Sequence, residues 1–155
     1  MIPAIANLPA RLSTCRGVLV DSNILLDVAS NDTIWGRWSE DTLDKIAEYS
    51  ILIINPIIYA EVSVCYSTIE ALDAAFPASV YQREPLPWEA GFLAGKSFLR
   101  YRRRGGLKTS PLPDFYIGAH AAVRGLAVLT RDTALFRSYF PAVEIRAPSQ
   151  QGFDK

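Results

Sequence analysis

Residues 17–27, GVLVDSNILLD, decide the predicted fold of this chain. GVLV has the length and the β-branched content of a buried strand, and Asp21 stands directly at its end. The same arrangement recurs at residues 126–132, LAVLTRD, where a second apolar run leads to Asp132. If the two strands are parallel, both acidic residues lie at the sheet edge where α/β proteins build their sites. The two segments therefore predict an α/β protein with an acidic site.

Two further apolar runs extend the predicted sheet. SILII at 50–54 and VEIRA at 143–147 have the composition of strands, and segments with helical patterns separate the four runs. This alternation predicts a mostly parallel sheet of four to five strands with helices on both faces, which is a three-layer α/β/α fold.

Local signals predict where several helices start. Asn55 before Pro56 predicts an N-cap followed by proline at the first helical position. Ser39 is expected to cap the segment EDTLDKIAEY, and Ser67 with Glu70 has the spacing of a capping box.

Composition limits the class of protein. The chain has 155 residues, a net charge of zero and 50% hydrophobic residues, which fits one domain over 1–155 with its core at about 17–147. No apolar stretch is long enough to cross a bilayer, so no membrane partner is expected. The N-terminal segment lacks the basic start and apolar core of a signal peptide, which makes a cytoplasmic location the expectation. Cys15 and Cys65 lack the CxxC spacing of a zinc site, and Cys65 is expected to be buried.

Two more acidic residues join Asp21 and Asp132. Glu61 interrupts the apolar segment PIIYAEVSVCY, where a lone carboxylate needs a cation or a hydrogen-bonding partner. Asp114 begins the helical segment DFYIGAHAAVR. Each acid has a structural alternative, since strand-end acids can cap the next helix, an arginine can pair with Glu61, and the helix dipole favours Asp114. Four carboxylates at one edge would repel one another, so as a set they favour a site for a hard divalent cation.

The chemistry that fits such a site is hydrolysis of phosphate esters. Magnesium prefers oxygen ligands, and a pair of such ions can activate water and stabilise the leaving oxygen. The sequence has neither the GxSxG motif of serine hydrolases nor the GxxxxGK[ST] loop of nucleotide hydrolases. His120, the single histidine, is expected to be packed or hydrogen-bonded rather than catalytic. A phosphatase of the haloacid-dehalogenase type requires a second acid two residues after Asp21, where this chain has Asn23.

Four motifs in order resemble PIN-domain ribonucleases, especially VapC-type toxins of bacterial toxin–antitoxin pairs. They are VLVDSNILLD, INPIIYAEVS, PLPDFYIGAHA and AVLTRDTALFRSYFP, and the resemblance covers about residues 17–147. It implies a PIN-like fold, hydrolysis of RNA with Mg²⁺ or Mn²⁺, and a toxin that inhibits translation or growth. It also implies a cognate antitoxin protein as partner and a homodimer. The acids that it assigns to the catalytic metal site are Asp21, Glu61, Asp114 and Asp132.

Neighbours of these acids have supporting roles in the resemblance. Ser22 stands where the family often has threonine and keeps the hydroxyl, and Asn23 is expected to brace the site by hydrogen bonding. Thr130 and Arg131 flank Asp132 on its N-terminal side.

Basic residues are the candidates for RNA contact. Arg131 is the first candidate, and its alternative role is a surface salt bridge. The second candidate is a basic cluster at the end of a predicted helix, whose alternative role is that of a solvated helix C-terminus. The zero net charge counts against a purely electrostatic nucleic-acid binder, although a neutral protein can still present a basic stripe. The alternative function is a PIN-like RNA-binding or regulatory protein that does not cleave, which the presence of all four acids disfavours. The basic cluster consists of Arg100, Arg102, Arg103, Arg104 and Lys108.

Overall fold

A computed structural model of the chain describes residues 17–109 and 112–149. Cys15 and the two ends of the predicted domain, 1–16 and 150–155, lie outside the described residues. Within these residues the sheet has five parallel strands, which confirms the predicted fold class. The strands are β1 (Val18–Val20), β2 (Leu52–Ile54), β3 (Tyr81–Arg83), β4 (Ala127–Leu129) and β5 (Ile145–Arg146).

The strands lie in the order β3-β2-β1-β4-β5, and the three central ones are fully buried. Helices fill the connections between consecutive strands, apart from one 3₁₀ turn at Ser63–Cys65. Among the described residues, no helix has the length and apolar content that a membrane span would need. The helices are α1 (Ser22–Ala29), α2 (Gly36–Ala47), α3 (Pro56–Val62), α4 (Ile69–Ala75), α5 (Trp88–Arg103), α6 (Pro113–Arg124) and α7 (Ala134–Tyr139).

This strand order creates a switch point between β1 and β4. By the right-handed crossover rule, the connections from β1 to β2 and from β2 to β3 lie toward one face of the sheet, and those from β3 to β4 and from β4 to β5 toward the other. Helices α3 and α6 nevertheless contact each other. β1 and β4 are paired neighbours, yet the chain leaves β1 toward the first face and β4 toward the second. The carboxyl ends of such a strand pair open into a crevice, which is where α/β folds bind ligands.

One predicted helix start is confirmed and one is wrong by a residue. The side chain of Asn55 accepts a hydrogen bond from the backbone N–H of Ile58 at 2.9 Å, so Asn55 caps α3 as predicted. The capping box at Ser67 does not form, because Thr68 is the N-cap of α4 and accepts from the N–H of Ala71 at 3.2 Å.

The predicted cap at Ser39 is wrong for a tertiary reason. Helix α2 already begins at Gly36, and Ser39 lies inside it, fully buried. Its hydroxyl donates to the carboxylate of Asp27 at 2.7 Å, so the side chain serves a contact between α1 and α2. Cys65 also differs from expectation, since it is exposed in the 3₁₀ turn that follows α3.

Candidate active site

The fold brings the four predicted acids to the switch point. Asp21 follows β1 and caps α1, and its backbone N–H donates to the carbonyl of Leu129 at the end of β4 at 2.9 Å. Asp132 lies three residues beyond the end of β4. Glu61 occupies the last turn of α3, and Asp114 the first turn of α6.

Asp21 is the most buried of these acids, with 3% of its surface exposed. One carboxylate oxygen accepts from the backbone N–H of Ser22 at 2.7 Å, and the other accepts from the hydroxyl of Thr130 at 2.7 Å. Burial raises the pKa of Asp21 to about 6, against the lowering effect of these two hydrogen bonds. The negative charges of Glu61 and Asp132 raise it further. Asp21 is therefore held in one orientation in an environment that disfavours its charge.

Thr130 organises the side of the site next to Asp21. Its fully buried hydroxyl donates its single proton to Asp21, the nearer acceptor, because the backbone carbonyl of Asp132 is 3.1 Å away. The same oxygen accepts from the side-chain amide of Asn23 at 3.2 Å and from the N–H of Asp132 at 3.0 Å. One donated and two accepted bonds exhaust the capacity of a hydroxyl. The predicted bracing role of Asn23 thus has a structural basis.

Glu61 and Asp114 complete the cluster from two helices. The hydroxyl of Ser22 donates a hydrogen bond to the carboxylate of Glu61 at 3.1 Å. Burial has the largest effect on the pKa of Glu61 and raises it, and the negative charge of Asp114 raises it further. Burial raises the pKa of Asp114 to about 6, and the charges of Asp21 and Asp132 add to the effect. The four acids therefore repel one another across a common space.

The donor set suits a hard cation, although the carboxylates do not form a closed cage. Within residues 17–109 and 112–149, no three acidic, histidine or cysteine side chains stand close enough to hold one ion by themselves. The acids are nevertheless neighbours, because the Ser22 hydroxyl lies within 3.5 Å of the carboxylates of Asp21 and Glu61, and Thr130 bonds both Asp21 and the N–H of Asp132. The charges of Asp21 and Asp132 raise the pKa of Asp114. Magnesium is usually held by one or two carboxylates, several waters and a substrate phosphate, so a closed protein cage is not required. The all-oxygen set is of the kind that Mg²⁺ and Mn²⁺ prefer, whereas zinc sites in proteins are mostly built with Cys or His ligands.

The family of the chain follows from a comparison with models of known families. The model of the PIN domain matches residues 18–140, which contain all four acids. The chain belongs to the PIN domain family. The predicted family is confirmed, and membership supports a nuclease that hydrolyses phosphodiester bonds.

Solved structures share the fold of this PIN domain at low sequence identity. A chain of VapBC2 from Rickettsia felis, bound to promoter DNA, is 14% identical with a TM-score of 0.66, over 85% of this chain and 98% of that one. VapBC-1 from nontypeable Haemophilus influenzae has 15% sequence identity and a TM-score of 0.63, over 84% of this chain and 96% of that one. A toxin–antitoxin complex from Klebsiella pneumoniae has 24% sequence identity and a TM-score of 0.58, over 85% of this chain and 98% of that one. No curated protein matches the chain.

A second polar network borders the site of this PIN domain and was not predicted from the sequence. Arg131 donates two hydrogen bonds to the buried carboxylate of Asp27, at 2.7 and 2.8 Å. Its guanidinium also lies over the ring of Trp35, 4.9 Å from the centroid. The sequence signal was an acid, Asp27, at the end of the apolar run ILL in a short helix. Because the carboxylate is buried, this pair is more than the surface salt bridge considered for Arg131, and phosphate contact by Arg131 stays a prediction.

The basic cluster lies beside the start of α6. The ring of Tyr101 contacts that of Phe115, next to Asp114, with centroids 5.6 Å apart. Arg102 donates to the backbone carbonyls of Gly106 and Lys108, at 3.2 and 2.9 Å, and so ties the end of α5 to the following loop.

Two members of the basic cluster contact α7. Arg100 donates to the carbonyl of Tyr139 at 3.2 Å, and the guanidinium of Arg104 lies over the ring of Tyr139 at 5.1 Å. Arg103 is exposed, and its side chain makes no hydrogen bond or ion pair within the described part of the chain. The cluster therefore combines structurally engaged arginines with a cation that faces solvent.

Proposed function

We propose that this PIN domain is a divalent-metal-dependent endoribonuclease and the toxin of a toxin–antitoxin pair that inhibits translation or growth. The observation that carries the proposal is the group of mutually repelling carboxylates at the switch point of the sheet. Such a group is costly to keep in a fold unless a cation neutralises it. The residues proposed to hold the ion are Asp21, Glu61, Asp114 and Asp132.

The chain's own residues prepare the site for a phosphodiester. When bound, Mg²⁺ or Mn²⁺ would supply a nucleophilic water and charge neutralisation at the phosphate. Thr130 and the N–H of Ser22 fix both oxygens of Asp21, so this acid needs no reorganisation when a ligand arrives. Ser22 keeps a hydroxyl between Asp21 and Glu61, at 3.5 Å from the first and 3.1 Å from the second. Asp114 on α6 and Glu61 on α3 would complete the set of ligands.

RNA contact is proposed for two groups of cations near the acids. The basic cluster adjoins the start of α6 through Tyr101 and Phe115. Next to Asp132 in sequence, Arg131 lines a cavity of about 550 Å³ together with Arg137 and Trp35. Cations near an acidic centre allow a strand to be held by its backbone while one phosphodiester lies at the acids. We propose the cytoplasm as the protein's place of action.

The partner of the proposed toxin is a cognate antitoxin. The solved structures that share its fold include VapBC and other toxin–antitoxin complexes, one of them bound to promoter DNA. A homodimer is proposed as well, on the resemblance of the motifs to VapC-type toxins.

The test is cleavage of a mixed RNA pool by the purified protein in Mn²⁺, Mg²⁺ or EDTA. Asp21→Asn removes one acceptor and the charge at the centre of the site, whereas Asp41→Asn removes a charge from the exposed face of α2. We expect metal-dependent cutting by the parent and by Asp41→Asn, and none by Asp21→Asn. RNA binding without cutting by a folded, metal-loaded protein would instead favour the non-cleaving RNA-binding function. Failure of the parent to bind either metal would refute the proposed site.

A further inference from the structure

A buried chain of polar side chains links three elements away from the acids. His120, in the second half of α6, has no exposed surface. Its Nδ1 lies 3.0 Å from the side-chain nitrogen of Asn55, and its Nε2 lies 3.0 Å from a carboxylate oxygen of Glu84. Asn55 caps α3, and Glu84 follows β3.

The hydrogen-bond pattern fixes the tautomer of His120. The oxygen of the Asn55 amide accepts from the N–H of Ile58, so the amide NH₂ faces His120. Nδ1 must then be an unprotonated acceptor, which leaves the proton on Nε2, where it is donated to Glu84. The ring is therefore neutral, and its contact with Glu84 is a hydrogen bond rather than an ion pair.

The network spans the two helices that supply acids from outside the sheet. Asn55 precedes Glu61 by six residues, and His120 follows Asp114 by six residues. Asn55, at the start of α3, contacts the second half of α6. Glu61, at the end of α3, lies near enough to Asp114, at the start of α6, for the charge of Asp114 to raise its pKa. The two helices therefore run in opposite directions. Six residues of helix span about 9 Å. The His120–Asn55 bond and the Glu61–Asp114 pair are thus the two ends of one helix–helix contact.

We propose that His120 is a positioning residue, which in its Nε2–H form ties α6 to the cap of α3 and so sets the gap between Glu61 and Asp114. The inference rests on the proposed function, because it assigns to these two acids a shared metal ion. A substitution of His120 or Asn55 would tilt α3 against α6 and so displace Glu61 relative to Asp114. Small displacements of ligand side chains weaken the binding of a metal ion.

Protonation of His120 would oppose this arrangement. A proton on Nδ1 would face the NH₂ of Asn55, and turning the amide would present that NH₂ to the N–H of Ile58 and abolish the cap. The charged groups that face the ring are Glu84, and Arg124 on α6, which lies 4.0 Å from Glu84. Burial has the largest effect on the pKa of His120 and lowers it, whereas the hydrogen bond and the charge of Glu84 act to raise it.

The tautomer can be read directly, because the chain contains one histidine. Long-range ¹⁵N–¹H spectra of the full chain should show a protonated Nε2 and an unprotonated Nδ1 that persist below the usual pKa of about 6.5. In Asn55→Asp, the cap acceptor is kept but Nδ1 meets an oxygen, so we expect a protonated Nδ1 and a raised pKa. A parent protein with its proton on Nδ1, or an Asn55→Asp variant with an unchanged ring, would overturn the proposal.

The positioning role is tested by Mn²⁺ affinity in calorimetry, without any activity assay. His120→Phe keeps a ring and removes both nitrogens, and we expect Mn²⁺ binding to weaken by about tenfold. Leu72→Ala is the matched control, since Leu72 is the buried residue of α4, and its truncation creates a cavity outside the network. Asn55→Asp provides a second, capped variant if His120→Phe does not fold, and it should also bind Mn²⁺ more weakly than the parent.

The outcomes separate this inference from the proposed function. Unchanged Mn²⁺ affinity in both network variants, or an equal loss in Leu72→Ala, would overturn the positioning role and leave the metal site intact. A parent protein that does not bind Mn²⁺ would overturn both.

Discussion

Replacing Asp114 by asparagine should stabilise the metal-free protein near neutral pH. Asp114 receives no hydrogen bond from the described residues, so the substitution removes a charge without removing a bond. Burial and the charges of Asp21 and Asp132 raise the pKa of Asp114 from 3.8 to about 6. The folded state therefore favours the protonated carboxyl, and the charged form costs stability that an uncharged amide would restore.

The size of the effect follows from the pKa. A carboxyl whose pKa rises from 3.8 to about 6 on folding costs about 3 kcal/mol of unfolding free energy at pH 7.5. Because Asp114 is only half-buried, solvent screening reduces this to about 1.5 kcal/mol. For a chain of this size, such a gain corresponds to an increase of about 3–6 °C in melting temperature. The penalty is absent well below pH 3.8, where the carboxyl is protonated in both states, grows between about pH 3.8 and pH 6, and is complete above that range.

Thermal unfolding of the parent and Asp114→Asn in EDTA, at pH 4 and pH 7.5, measures this difference. We expect the full gain at pH 7.5 and only a small fraction of it at pH 4, while Asp41→Asn on α2 changes the melting temperature little at either pH. Added Mg²⁺ or Mn²⁺ should then stabilise the parent more than Asp114→Asn, because a ligand that binds only the folded state stabilises it by RT ln(1 + [L]/Kd), which is larger for the tighter binder. A variant that is less stable at pH 7.5, or equally stabilised by metal, would show that Asp114 has a structural role instead.

Three further substitutions test the surroundings of the acids. Asp27→Ala leaves the guanidinium of Arg131 without its partner, and urea unfolding should show a loss of about 3 kcal/mol; a loss below about 1 kcal/mol would mean that the pair is screened by solvent. Thr130→Val removes the hydroxyl that fills three hydrogen bonds, so stability should fall by about 1–3 kcal/mol and the pKa of Asp21 should rise above about 6 in a ¹³C-carboxyl titration. An unchanged titration would contradict the short bond to Asp21. Arg103→Ala should reduce the slope of log affinity for single-stranded RNA against log salt by about 0.7, and an unaltered slope would remove Arg103 from the RNA interface.

The parts of the site that the sequence predicted depend on local signals. Asp21 and Asp132 each follow a short apolar run, a parallel sheet puts such ends at one edge, and the pairing of β1 with β4 brings these two together. Asn55 before Pro56 is a cap signal that needs no tertiary partner, and it is confirmed by the bond from Ile58.

The parts that were missed depend on contacts distant in sequence. Strand β3 is an edge strand in which Gln82 and Arg83 are exposed, so it lacks the apolar run by which strands are predicted. Ser39 has the composition of a cap, but its partner is Asp27, on the preceding helix, and this partner decides its place. Residue types alone cannot reveal such partners, since the bonds exist only after α1 and α2 have packed.

The two halves of the acidic cluster are held in different ways, and this has a consequence for metal binding. The carboxylate of Asp21 and the backbone of Asp132 are held by the pairing of β1 with β4 and by the hydroxyl of Thr130, a set of short bonds at one sheet edge. Glu61 and Asp114 stand on separate helices, and their separation depends on how α3 packs against α6. Substitutions that move those helices therefore change the gap between Glu61 and Asp114 while the sheet-edge pair stays in place. On the proposed function, the helix-borne pair, and not the more deeply buried Asp21, sets how tightly a metal ion can be shared.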